Sequence, residues 1–117
     1  MDGFEAAIGG PGESGPDPGY TDVIDLDSFV DNFIVSEVTR NIDAYRLSMY
    51  FFKDRDSMGG KLNAGPVWDC DLAFGNVNYH EGWLTDGWNL DALVNSSEGR
   101  GVPYWWKIGR ASCRERV

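Results

Sequence analysis

A change of hydrophobic period near residue 43 constrains this chain most. Upstream of it, Phe29, Val30, Phe33, Ile34, Val38 and Ile42 recur at the spacing of one helical face. Downstream, "YRLSMYFFKD" is rich in aromatics and alternates with period two until "RDSMGG", where a glycine pair signals a turn. The run "KLNAGPVWDCD" then extends again. A chain built in this order is of the α+β class, a helix feeding a β-hairpin. The spacing predicts a helix from about residue 28 to about residue 42, with Asp27 capping its first turn and Leu26 packing back on it. The strands are expected at about 45–52 and 61–68.

That topology gives the acidic residues a location. Asp43 falls at the helix-to-strand junction and Asp69 at the exit of the hairpin, and antiparallel strands place such an entry and exit side by side. If the backbone stays extended, Asp69 and Asp71 point to the same side and Cys70 to the other. Three carboxylates gathered at one end of a hairpin repel one another unless a positive charge sits among them. A hard divalent cation such as Mg²⁺, which prefers oxygen ligands, would supply it.

Composition narrows the partners once the C-terminus is set apart. Residues 108–117, "IGRASCRERV", are encoded in order by ATC GGA AGA GCG TCG TGT AGG GAA AGA GTG, a string that runs through a widely used short-read library adapter. They are expected to be adapter-derived and are excluded from the functional reading. Without them the formal charge moves from −9 to −11, with seven basic against 18 acidic residues. A nucleic-acid backbone is therefore not an expected partner, and divalent cations are. Cys70 is then the one remaining cysteine, so no intrachain disulfide is inferred. No run approaches the length of a membrane span, and "MDGFEAAIGGPG" lacks the basic start and apolar core of a signal peptide. "MDGFEAAI" reads as the end of a helix, and residues 9–19, rich in Gly and Pro, as a loop, which makes 1–19 a lead-in to a domain at 20–107.

Taken together, the ordered residues resemble a known family. Asn41-x-Asp43, the Tyr-Arg-x-Ser that ends at Ser48, and Gly-Pro-x-Trp-Asp-x-Asp with its trailing Phe-Gly-Asn look like the core of the CotH kinase family, named for spore-coat protein H. The resemblance runs from about residue 19 to residue 107. It implies an atypical, secreted-type protein kinase fold, of which this chain would hold the helix, hairpin and metal-binding loop of the C-terminal lobe. It also implies phosphoryl transfer from ATP, dependent on Mg²⁺ or Mn²⁺, to Ser or Thr of coat or surface proteins.

Carried over by residue, Asp43 would be the catalytic carboxylate, Asp69 a metal ligand, and Asp71 either a second ligand or a carboxylate that supports the ligands without touching the metal. Ser48 stands where typical kinases place an Asn that binds a second metal, and a hydroxyl is a weaker ligand. No Gly-rich phosphate loop, strand lysine or helix glutamate is recognisable, so the ATP-contacting lobe is expected upstream and this piece alone is expected to be inactive. The resemblance further implies an extracellular or envelope-associated location.

Other residues receive plainer readings. His80 is assigned no role, and Cys70 is expected to be a buried, inert thiol. Trp68, Trp83 and Trp88 are expected to anchor loops by burial, and "VPYWWK", with Trp105 and Trp106, to open another helix. The competing class is a non-catalytic surface module that binds a cation or carbohydrate, because aromatic faces stack on sugar rings.

Overall fold

The computed structural model describes residues 20–95. The expected N-terminal helix end, the Gly/Pro-rich loop, the "VPYWWK" segment and the adapter-like tail lie outside the described residues. The elements run α1 (Tyr20–Val23), α2 (Leu26–Thr39), β1 (Phe51–Lys53), a 3₁₀ turn (Asp56–Met58), β2 (Leu62–Ala64) and α3 (Asn89–Asn95). The α+β expectation holds at that level, with helices packed around a two-stranded antiparallel sheet.

The cap of helix α2 lies two residues before the expected one. Asp25, in extended conformation, accepts from the Ser28 backbone N–H at 2.9 Å, satisfying one of the orphan donors of the first turn. Asp27 is exposed inside that turn, and Leu26 is the first helical residue. The start is fixed from outside the helix. Ile24 bridges Leu62 in parallel, the Asp25 N–H donates to the Leu62 carbonyl at 2.8 Å, and the Ala64 N–H donates to Ser28 Oγ at 3.0 Å. The helix closes at Thr39, followed by Arg40 in the left-handed region at φ 48°.

The buried face of α2 differs from the apolar stripe. Phe29, Val30 and Phe33 point inward, but Ile34 and Val38 are exposed, and the inward row continues through Ser36. Glu37 explains the substitution. Its carboxylate accepts from Tyr45 Oη at 2.6 Å and from the backbone N–H groups of Asn89 and Leu90 at 2.7 and 3.0 Å, capping α3. A half-buried acid with three donors is worth more on this face than an aliphatic side chain without them.

The hairpin is shorter than expected. Residues 42–47 form turns rather than the start of a strand, with the Asp43 carbonyl accepting from the N–H groups of Arg46, Leu47 and Ser48. Tyr45 is drawn into the core beside Phe33, ring centres 6.1 Å apart, which puts Ile42 and Tyr45 on one side at turn spacing. Pairing starts only at Phe51, opposite Ala64, and the second strand stops before Gly65, at φ 127°, and Pro66, which has no N–H to donate. The core joins Ile24, Phe29, Phe33, Ile42, Tyr45, Ala64, Leu90 and Leu93, so the turn carrying Asp43 is anchored on both sides by buried neighbours.

Candidate functional site

Asp43 occupies the turn between α2 and β1. Its N–H donates to Asn41 Oδ1 at 3.2 Å, a side-chain-closed turn of the kind asparagine favours, and its carboxylate pairs with Arg46 at 3.4 Å. The pairing constrains the carboxylate while leaving it partly open to solvent.

Asp69 arrives from the far side of the hairpin. It sits at φ 54°, a left-handed conformation that aspartate tolerates better than most residues. The pKa of its exposed carboxyl is raised. The largest cause is the negative charge of Asp71, followed by desolvation, a hydrogen bond with Asp71 and the charge of Asp43; a hydrogen bond with Ser48 works the other way. Three of the residues singled out in the sequence, Asp43, Ser48 and Asp71, thus lie close enough to act on the fourth, Asp69. Among the described residues, no three acidic, histidine or cysteine side chains form a group able to hold a metal ion by themselves.

The route to this grouping is not the expected one. The left-handed Asp69 breaks the extended run, so Asp69 and Asp71 meet through a bend rather than a pleat, and Cys70 is exposed rather than buried. The tryptophans differ in the same direction, since Trp68, Trp83 and Trp88 are all exposed, with Trp68 resting edge-on against Tyr50 at 5.7 Å. His80 lines a cavity of about 500 Å³ with Arg40, Glu81, Trp88 and Asp91. None of the four site residues borders that cavity, which lies apart from the acidic group.

Several supporting residues were not legible as such. Asn41 carries the contacts that join the Asp43 turn to the Asp69 loop, a role that its place in the Asn-x-Asp motif does not itself reveal. Arg46 has a buried Nε without a hydrogen-bond partner among the described residues, beside the carboxylate it pairs with. Arg40 donates to the carbonyls of Glu81, Asp86 and Gly87 at 3.0, 2.9 and 3.3 Å. A polar residue just past a helix end, where solvent is the default, gives little signal of such long-range bonds.

With this geometry in place, the comparison with known families is informative. The family model described as CotH kinase protein matches residues 9–108, a span containing α2, the hairpin and all four acidic-site residues. The chain belongs to the CotH kinase family. No curated protein and no solved structure matches it. Membership in the CotH family makes a kinase-related domain the frame for the site, and it places the Asn-x-Asp and Asp-x-Asp segments within the matched region.

Proposed function

We propose that this CotH domain is part of a protein kinase that transfers the γ-phosphoryl group of ATP to Ser or Thr hydroxyls of coat or surface proteins, with Mg²⁺ or Mn²⁺ bound at Asp69, Asp71 and Ser48. The observation that carries the reading is the CotH kinase match across Asn41-x-Asp43 and Asp69-x-Asp71, with Asp71 and Asp43 placing negative charge at Asp69. An all-oxygen set with surplus negative charge suits a hard cation. Mg²⁺ commonly takes only one or two carboxylates and completes its shell with water and phosphate oxygens, so a full protein cage is not required. The cation, when bound, would neutralise charge on the phosphates.

The chain's own residues have separate tasks. Asp69 and Asp71 would hold the cation, and the Ser48 hydroxyl, close enough to Asp69 to favour its charged form, would complete or orient that set. Asp43 would orient the acceptor hydroxyl and take its proton as the oxygen bonds to phosphorus and the bond to ADP breaks. Arg46, held against Asp43, has in its buried Nε a spare donor that a phosphate oxygen would satisfy. Residues 20–107 would then be a partial kinase-like domain, with ATP contacts supplied by a further lobe and 108–117 adapter-derived. We place the protein outside the cell or in its envelope. Among the described residues no helix is long and apolar enough to cross a membrane.

A second reading is favoured by one observation. The exposed Trp68 beside the acidic loop, with Trp83 also exposed, is what a cation-dependent carbohydrate-binding module would present. The two readings separate in one assay, phosphate transfer from ATP with Mg²⁺ by the protein made from the complete reading frame. Transfer that falls by about 10²–10⁴-fold in Asp43→Ala, the range for removing a general base, supports the kinase. A folded protein that phosphorylates neither itself nor Ser/Thr-rich acceptors overturns it in favour of the module.

A further inference from the structure

Asn41 is 2% exposed and has its polar groups committed in three directions. Its Oδ1 accepts from the Asp43 N–H at 3.2 Å, and its Nδ2 donates to the Asp69 carbonyl at 3.2 Å and to Cys70 Sγ at 3.7 Å. Its own carbonyl accepts from Asn89 Nδ2 at 2.8 Å, inside the core. One amide therefore spans the two loops that carry the opposing halves of the site. No backbone hydrogen bond joins the Asp43 turn to Asp69 or Asp71 among the described residues, although Thr39, just before the turn, accepts from the Phe74 N–H at 2.7 Å.

We infer that Asn41 is a positioning residue that sets the distance between the Asp43 carboxylate and the cation held at Asp69 and Asp71. This rests on the kinase reading for the role of Asp43 and on the cation site for the role of Asp69. The physical argument is one of register. Asp69 is held in a left-handed conformation on an exposed segment without regular structure, and such a conformation persists only where its surroundings fix it. The bond from Asn41 fixes the carbonyl of that residue. The acceptor side of the same amide closes the turn that presents Asp43, so a displacement of either loop strains the other. An aliphatic residue would fill the space and perform neither task. Glutamine would carry the same groups one methylene too far out.

The two halves of the amide can be separated. Asn41→Ser retains a short side-chain acceptor able to close the Asp43 turn but cannot reach Asp69, whereas Asn41→Leu removes both functions. The test uses protein from the complete reading frame and two readouts: Mn²⁺ affinity, followed by the loss of the free-ion electron paramagnetic resonance signal, and kcat for phosphate transfer at saturating metal. In Asn41→Ser, which frees the Asp69 side of the link, we expect Mn²⁺ affinity and kcat at saturating metal each to fall about tenfold, and in Asn41→Leu both to fall further. Tyr45→Phe, which shares the turn with Asp43 but removes only a hydroxyl bonded to Phe33 and Glu37 and no bond to Asn41 or Asp69, is the control for a merely structural effect. It should lower the melting temperature and leave Mn²⁺ affinity unchanged.

Folded Asn41→Ser and Asn41→Leu proteins with parental Mn²⁺ affinity and kcat would overturn the inference while leaving the kinase reading intact. The same holds if Tyr45→Phe shifts Mn²⁺ affinity as much as Asn41→Ser does. A parent that binds Mn²⁺ but transfers no phosphate fails the kinase reading instead, and with it the distance-setting role toward Asp43. If Asn41→Leu does not fold, the Asn41→Ser affinity alone decides the outcome.

Discussion

Helix α2 and the segment from Gly65 to Trp88 are held by different kinds of interaction, and the contrast explains where chemistry can be placed. The helix contributes Phe29, Val30 and Phe33 to a closed core, with rings packed on Phe51, Tyr45 and Trp88. The later segment has no regular element until α3, exposes most of its residues and takes left-handed conformations at Asp69, Phe74, His80 and Glu81. It is tied down by long-range polar bonds from the end of α2: Thr39 to Phe74, Arg40 to the carbonyls of Glu81, Asp86 and Gly87, and Asn41 to Asp69. Apolar burial gives the first region most of its stability, because it scales with area and needs no particular angle. Directional bonds give the second region its shape. An acidic site needs the second kind, since it must stay open to water, metal and phosphate.

Substitutions on the two sides should therefore break the molecule differently. Phe33→Ala, at a buried ring touching both Tyr45 and Trp88, should cost about 3–5 kcal/mol and unfold the domain at markedly lower denaturant, as a urea midpoint would show. A loss below 1 kcal/mol would mean the core is looser than its burial suggests. Asp25→Ala, removing the helix cap, should cost about 1 kcal/mol, whereas Asp27→Ala should fall within about 0.5 kcal/mol of the parent. A larger loss at Asp27 than at Asp25 would return the cap to Asp27.

The smallest effect belongs to the open region and has a defined sign. Asp69 binds its proton more readily in the folded chain than its ordinary value of 3.8 would give, because Asp71 and Asp43 repel its charged form. Metal-free stability should thus fall as pH rises from that ordinary value through the raised one, with the full loss present at neutral pH. Acidification from neutral recovers the loss. Asp69→Asn should remove this contribution, so its metal-free melting temperature should exceed that of the parent at about pH 7, with the gap closing toward about pH 4. The same variant should lose Mg²⁺-dependent transfer, and a lower melting temperature at neutral pH would contradict the electrostatic account.

The sequence made some of this legible and withheld the rest for physical reasons. Helix α2 was readable because Phe29, Val30 and Phe33 repeat at the helical period, and the approach of Asp43 to Asp69 followed from hairpin topology even though the strands proved to be three residues each. The cap was misplaced because Asp25 and Asp27 look alike locally, and the choice is made by Leu62 and Ala64, far along the chain. Residues 45–50 alternate like a strand, but burial of Tyr45 and the turn closed by Asn41 outweigh that pattern. Cys70 was expected inside because an extended backbone was assumed, and one left-handed residue reverses its direction. Long-range capture by Arg40 and Asn41 has no periodic signature.

Arg40 itself illustrates a conflict that the fold resolves in favour of distance. Its backbone at φ 48° is one that glycine would adopt without strain, yet glycine there would leave three carbonyls of the 81–87 loop without their donor. The position is thus occupied by a residue less suited to the turn than glycine and better suited to the neighbour. Because a single guanidinium gathers Glu81, Asp86 and Gly87, those three carbonyls share one donor side chain, and the amides around them should exchange with solvent together, as a unit released whenever that side chain lets go.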